Sequence, residues 1–145
     1  MNIPIYGVML VKDSSLRVPG KKADNPGAVA DILKAYLAGK DREHFVVLML
    51  DTRHNVLGIN TVSVGTLSAS LVHPREVFKP AILANAAAVV VSHNHPSGET
   101  APSPEDREAT RRLARAGELM GIPLLDHVIV ADGAKHYSFK ENGLI

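Results

Sequence analysis

The feature that most constrains the fold is a continuous apolar run at Phe45–Leu50, which lies between the charged residues 41–43 and Asp51. A strand of this composition, rich in Val and Leu, is typical of a sheet that is covered on both faces. Val56–Val64 is the expected neighbouring strand, and Ala87–Ser92 supplies a further one. Helical patterns separate these strands, so the sequence predicts an α/β fold.

The first two helical segments have clear start and end signals. One begins at Asn25, an N-cap residue followed by Pro26 at the first helical position, and is expected to end at Gly39. The other covers Arg75–Ala84, where Pro80 is expected to kink the helix or to mark a second start. Both segments are therefore predicted to cover the sheet.

The third helix and the segment after it define the rest of the sheet. Pro104–Met120 is charged and amphipathic, ends at Gly121, and is expected to turn three residues inward: Leu113, Ala116 and Met120. Leu124–Val130 and Lys135–Phe139 then flank a turn at Asp132-Gly133, which predicts a closing β-hairpin. Alternating helices and strands that end in a hairpin indicate a mixed central sheet flanked by helices.

The 145 residues are expected to form a single domain, 1–145, because this length matches the usual size of one compact unit. Residues 1–23 are interpreted as an N-terminal strand at Ile5–Val11 followed by a polar loop. No signal-peptide core and no apolar run long enough to span a membrane is visible. We therefore expect a cytoplasmic protein without membrane contact.

Charge and cysteine content exclude several classes of function. The chain has 16 Lys and Arg against 15 Asp and Glu, and a net charge of +1 is too small to predict tight, sequence-independent binding of nucleic acid. It has no Cys and 7 His, which removes disulfides, thiol nucleophiles and Cys-based metal sites. Any metal site must therefore use imidazole and carboxylate ligands.

Such ligands occur together near the end of the predicted strand Ala87–Ser92. His93 and His95 are two residues apart, so an extended chain turns both imidazoles to one side. Asp106 follows in the first turn of the next helix, for which Ser103 is the expected N-cap. Two His and one Asp leave a fourth position open for water, which is typical of catalytic zinc sites.

Each half of this pattern also has an ordinary structural explanation. A His-x-His pair in a chain with 7 His can be incidental. Ser103 and Asp106 have the spacing of a capping box, with Asp in place of the usual Glu or Gln. The combination of strand end, turn, spacing and helix start is what favours a metal site.

The sequence resembles the RadC branch of the JAMM (MPN-type, or JAB) metalloprotease superfamily, whose pattern is His-x-His, ten residues, Asp. The resemblance covers residues 24–145 and is carried by these segments: Glu43-His44-Phe45, Leu50-Asp51, Gly65-Thr66, His73-Pro74-Arg75-Glu76, His93-Asn94-His95-Pro96-Ser97-Gly98, Pro102-Ser103, Asp106 and Leu125-Asp126-His127. It implies the JAMM/MPN-like fold, with a mixed sheet flanked by helices.

The resemblance also implies roles for site residues. His93, His95 and Asp106 would bind Zn²⁺, and Ser103 would help to stabilise the developing oxyanion. An upstream Glu would be the general base, for which Glu43 is preferred because it precedes an apolar strand as the base of the family does. The alternative is Glu76, whose position at a helix start is already explained by the helix dipole.

The remaining histidines are expected to lie outside the metal site. His73 and His127 are assigned structural roles, with His127 or Asp126 as possible partners that orient a ligand. Three others are expected at the surface or in turns: His44, His54 and His136.

The leading hypothesis is a zinc-dependent metallopeptidase or isopeptidase in which a zinc-bound water attacks a peptide or protein substrate. The alternative is a non-catalytic interaction module in DNA maintenance, which the RadC name suggests. Near-zero net charge and only 4% aromatic residues argue against autonomous binding of nucleic acid. A zinc deaminase is excluded because its signature requires Cys ligands. The sequence predicts neither the natural substrate nor the oligomeric state.

Overall fold

The computed structural model describes residues 1–65, 72–132 and 135–145. Three helices and five strands follow one another along these ranges: α1 (Pro26–Tyr36), β1 (His44–Leu50), β2 (Val56–Val64), α2 (Pro74–Leu83), β3 (Ala88–Asn94), α3 (Pro104–Met120), β4 (Leu124–Val130) and β5 (His136–Ser138). The predicted α/β fold is confirmed.

The strands form one mixed sheet in the order β2-β1-β3-β4-β5. β1 lies antiparallel between β2 and β3, and β4 pairs antiparallel with β5. Among the strands of the described ranges, only β3 and β4 run parallel, and α3 makes the crossover between them. The predicted closing hairpin is confirmed by its strand pairing, whereas Gly133 of its turn, like Thr66 of the quoted motif, lies outside the described residues.

β1 explains how the sheet is covered on both faces. Alternate residues of this strand, Phe45, Val47 and Met49, pack in a core with Phe78 of α2 and Leu113 of α3. The intervening residues pack in a second core with α1, and they are Val46, Leu48 and Leu50. Because side chains alternate across a strand, a strand between two helical layers must be apolar at every position.

The helix starts follow the predicted signals, but α1 ends at Tyr36, with Leu37 as its C-cap residue, rather than at Gly39. The side chain of Asn25 accepts a hydrogen bond from the Ala28 amide at 2.8 Å and so caps α1. α2 continues through Pro80 as one helix, so no second start forms there. α3 ends at Gly121, whose φ of 71° lies in the left-handed region that glycine adopts without strain.

Two predictions about apolar residues are wrong. Ile5–Val11 forms neither strand nor helix and is exposed. Pairing of this part of the chain begins only at Lys22, which forms a bridge to Asn55, so Ile5–Val11 has no neighbouring strand to bond with among the described residues. Met120 is 44% exposed rather than inward. The chain turns at Gly121 and buries Ile122 in the core instead, whereas Leu113 is buried as predicted. Ala116, the third expected core residue, is half-buried against the same core.

Small differences at strand ends bear on the site. β3 continues to Asn94, two residues beyond the predicted end, so that His93 is held within the sheet. β5 is shorter than predicted, His136–Ser138 rather than Lys135–Phe139. Within the described ranges, no helix has the length and apolar character needed to cross a membrane.

Candidate metal centre

The end of β3 and the start of α3 bring the predicted ligands together. One ligand atom from each of His93, His95 and Asp106 lies within 4.8 Å of the other two. The Nε2 atoms of the two histidines are 2.8 Å apart. Asp106 Oδ1 lies 3.2 Å from His93 Nε2, and Oδ2 lies 3.5 Å from His95 Nε2.

This geometry fits a small metal ion. Tetrahedral zinc with bonds of about 2.0–2.1 Å holds its ligand atoms about 3.3 Å apart. The three separations, 2.8, 3.2 and 3.5 Å, fall on both sides of that spacing. His93 is 1% exposed and Asp106 2%, so these donors are already withdrawn from water and aimed at one point. The residues can therefore hold a divalent cation.

A buried chain of hydrogen bonds determines which nitrogen His93 presents. The hydroxyl of Thr110 donates to the Asp106 carbonyl at 2.7 Å, so it accepts from His127 Nδ1–H, which lies 2.6 Å away. A neutral imidazole carries one proton, and His127 Nε2 is therefore an acceptor. It accepts from His93 Nδ1–H at 2.8 Å, which leaves the lone pair of His93 Nε2 for a metal.

The proton count requires His127 to be neutral, and its surroundings ensure this. Complete burial lowers the pKa of His127 well below its ordinary value. Its ring stacks on Phe139 with centroids 4.5 Å apart, and Phe45 stacks on His93 at 5.8 Å. These aromatic side chains keep both imidazoles out of water and fix their planes.

His95 presents the same nitrogen by a local contact. Its Nδ1 lies 2.7 Å from the Glu99 carbonyl, so Nδ1–H donates and the lone pair is on Nε2. Its pKa is raised, first by the hydrogen bond to Asp106, and further by the negative charge of Glu43. Both carboxylates favour positive charge at this point, which is the charge that a bound cation would supply.

Asp106 combines the two roles that the sequence left open. It completes a capping box. Asp106 Oδ2 accepts a hydrogen bond from the Ser103 amide at 2.8 Å, and Ser103 Oγ accepts one from the Asp106 amide at 3.0 Å. Burial opposes its ionisation, but contacts with the imidazoles of His93 and His95 outweigh burial and hold its pKa well below 3.8. The helix start thus fixes the carboxylate against the histidine pair.

The structure separates the two glutamates that were considered as the base. Glu43 is half-buried directly before β1, and its charge acts on His95 as described above. Glu76 lies in the first turn of α2, where it accepts from Lys79 at 2.9 Å and its pKa is lowered by that contact.

Other histidines lie partly as expected. His127 does contact a ligand, as the alternative assignment held, whereas His73 is the N-cap residue of α2. His54 lies in the turn after β1 with φ of 64°, but His44 and His136 each begin a strand. Asp126, the other proposed orienting partner, accepts hydrogen bonds from the amides of His127 and Lys140 and from the Ser138 hydroxyl.

Sequence reasoning missed Thr110 and Asn94. Thr110 lies four residues after Asp106 on the same helix face, and this helical spacing was a signal that could have been used. Asn94 lies between the two histidines, and its side chain binds the chain on both sides of Glu43. Its contact is with a residue 50 positions away, so no local pattern announces it.

Comparison with known proteins identifies related sequences. Residues 23–144 match the RadC-like JAB domain family. A UPF0758 protein of Rubrobacter xylanophilus is 55% identical over 133 residues, which cover 91% of this chain and 58% of that protein. A UPF0758 protein of Desulfitobacterium hafniense is 48% identical over 122 residues, covering 84% of this chain and 53% of that protein.

A UPF0758 protein of Symbiobacterium thermophilum is 51% identical over 121 residues, which are 83% of this chain and 51% of that protein. The chain thus spans about half the length of the curated relatives it matches. The family match extends over nearly the whole chain and includes every residue of the histidine and aspartate cluster. The chain therefore belongs to the RadC-like JAB domain family.

Proposed function

We propose that this domain is a zinc-dependent metallohydrolase that cleaves peptide or isopeptide bonds. The observation that carries the proposal is the cluster of two imidazole nitrogens and one carboxylate, whose atoms lie 2.8–3.5 Å from one another. When bound there, zinc would lower the pKa of a coordinated water to about 7 and polarise a carbonyl group.

Glu43 is proposed as the general base. The main-chain groups on either side of Glu43 bind the side chain of Asn94, which lies between the two histidine ligands, and this supports a position next to the metal centre. Glu43 would take a proton from the attacking water and return it to the amine that leaves, which balances the hydrolysis of an amide. Glu76 is less suitable because Lys79 already neutralises its carboxylate.

Ser103 is proposed to donate a hydrogen bond to the oxyanion. Its oxygen accepts from the Asp106 amide, and a hydroxyl that accepts still has its own proton to donate. A donor fixed in this way requires little reorganisation as charge develops on the substrate oxygen. The helix cap thus supports both the Asp106 carboxylate and the Ser103 hydroxyl.

A groove of about 590 Å³ lies beside His95. It lies between the end of α1 and the ends of β3 and β4, with Leu37, Asn94 and Val130 among its lining residues. This groove leaves room for part of a substrate beside the metal centre. The identity of the peptide or protein is not part of the proposal.

The function can be tested with a mixture of peptides incubated with the zinc-loaded domain and followed by mass spectrometry. New peptide termini are expected with the wild type, and Glu43→Gln is expected to keep its zinc but to produce none. Glu76→Gln is the matched control and should cleave like the wild type. Full activity in Glu43→Gln would contradict the assignment of the base.

A further inference from the structure

Asn94 makes two hydrogen bonds to the chain around Glu43. Its Oδ1 accepts from the His44 amide at 2.7 Å, and its Nδ2 donates to the Arg42 carbonyl at 2.9 Å. These are the backbone groups immediately before and after Glu43. The side-chain amide therefore binds the main chain on both sides of Glu43.

These two bonds continue the pairing of β1 with β3. Phe45 pairs with His93, so an antiparallel ladder would next place His44 opposite Asn94. At this position the side-chain amide, which has one carbonyl and one N–H group facing the neighbour, substitutes for a backbone peptide. The contact between β1 and β3 is thereby extended by one pair, beside the metal site, while Asn94 still pairs with β4.

The main chain of Glu43 is also bound by a residue that follows β2. The Gly65 amide donates to the Glu43 carbonyl at 2.8 Å. The main chain at Glu43 is thus fixed from two directions, by Gly65 on one side and by Asn94 on the other. Only the Asn94 contact comes from the segment that also carries His93 and His95.

We infer that Asn94 is a positioning residue, which holds Glu43 at a fixed distance from the metal centre. Within three residues, the segment His93-Asn94-His95 supplies two candidate metal ligands and, between them, the side chain that binds the main chain around Glu43. A displacement of this segment moves the ligands and Glu43 together, so their relative geometry is preserved. The inference rests on the proposed function, in which Glu43 is the base.

The test compares the wild type with Asn94→Ala, loaded with Co²⁺ as the probe. Loss of Asn94 Oδ1, which accepts from the His44 amide, should increase the hydrogen-exchange rate of that amide by about fivefold or more. The Glu43 side-chain carbons should lose much of their paramagnetic shift in NMR spectra, because the carboxylate moves relative to the cobalt ion. Cobalt binding itself should persist, since Asn94 is not among the ligand group.

Asn55→Ala is the matched control. Asn55 donates its side-chain amide to Asp51 at 3.1 Å, near the opposite end of β1 from Glu43. The control should leave both the His44 exchange rate and the Glu43 shift unchanged. If Asn94→Ala does not fold, Asn94→Asp, which has the same shape but lacks the donor to Arg42, should reduce the Glu43 shift.

Two results would overturn the inference: wild-type exchange of the His44 amide in folded Asn94→Ala, or an unchanged Glu43 shift in each folded Asn94 variant. Neither measurement requires hydrolysis. Failure of the wild type to bind cobalt would count against the proposed function. The exchange rate of the His44 amide would still test whether Asn94 holds the main chain around Glu43.

Discussion

Replacement of Thr110 by Val tests the hydrogen-bond chain behind the metal centre. Val has nearly the shape of Thr, so the substitution removes the hydroxyl from a site that is 2% exposed without opening a cavity. The lost contacts are the 2.7 Å bond to the Asp106 carbonyl and the 2.6 Å bond from His127. We expect effects on both stability and metal affinity.

The size of the stability effect follows from what each partner loses. The Asp106 carbonyl lies four residues before Thr110 in α3, so it keeps the helical bond from the Thr110 amide. His127 Nδ1–H, in contrast, is left without an acceptor in a residue with 0% exposure. A buried donor without a partner costs about 1–3 kcal/mol, and we expect the free energy of unfolding to fall by that amount.

The effect on metal affinity follows from the tautomer. Without Thr110, His127 can move its proton to Nε2, where it would oppose the Nδ1–H of His93. Loss of partners that orient a metal-bound histidine typically costs about 10–100-fold in affinity. Because Thr110 acts through His127, we expect the lower end, about tenfold weaker zinc binding.

The assay is zinc affinity measured by competition with a chelator, together with NMR detection of the protonated nitrogen in each histidine. Thr61→Val is the matched control, because Thr61 also bonds a side chain, Tyr36 at 2.7 Å, but has no link to His93. Wild-type zinc affinity in Thr110→Val would refute the reasoning. A proton on His127 Nε2 in the zinc-loaded wild type would refute it equally.

Two further predictions concern pH and packing. In the metal-free protein the pKa of His95 is raised above 6.5, chiefly by its hydrogen bond to Asp106, so its contribution to stability is present below pH 6.5 and is lost as pH rises through the raised pKa. Bound zinc should reverse this trend, because deprotonated His95 binds the metal better and zinc therefore stabilises the protein more at higher pH. Urea unfolding at several pH values, with and without zinc, measures both trends. The same pH dependence of stability in both series would contradict the prediction. In Gly117→Ala the new Cβ would lie 2.6 Å from the Ile122 carbonyl oxygen, which predicts a loss of about 1–3 kcal/mol in urea unfolding, and unchanged stability would show that the turn after α3 moves freely.

Strong local patterns predicted most of the fold. The bounds of β2, α3 and β4 agree with the sequence, because apolar runs, Pro at helix starts and Gly121 mark their ends directly. The predicted strand at Ile5–Val11 is wrong because local composition alone does not determine a strand. Its β-branched, apolar composition favours a strand, but a strand forms only where a partner supplies hydrogen bonds, and composition does not provide a partner.

The same distinction applies to the site. The spacing of His93 and His95 and the cap at Asp106 are local, and the structure brings these residues together as expected. His127 reaches His93 across 34 positions through the parallel pairing of β3 with β4. Contacts of that range depend on the packed sheet, so the sequence could name His127 only as one alternative.

The central claim is most directly tested by the zinc content of the purified domain, measured after equilibration with Zn²⁺ and removal of the excess. The account predicts one zinc ion per chain in the wild type, and close to none when His93→Ala and His95→Ala are combined. Absence of stoichiometric zinc from the wild type, or its retention in the double variant, would contradict the account.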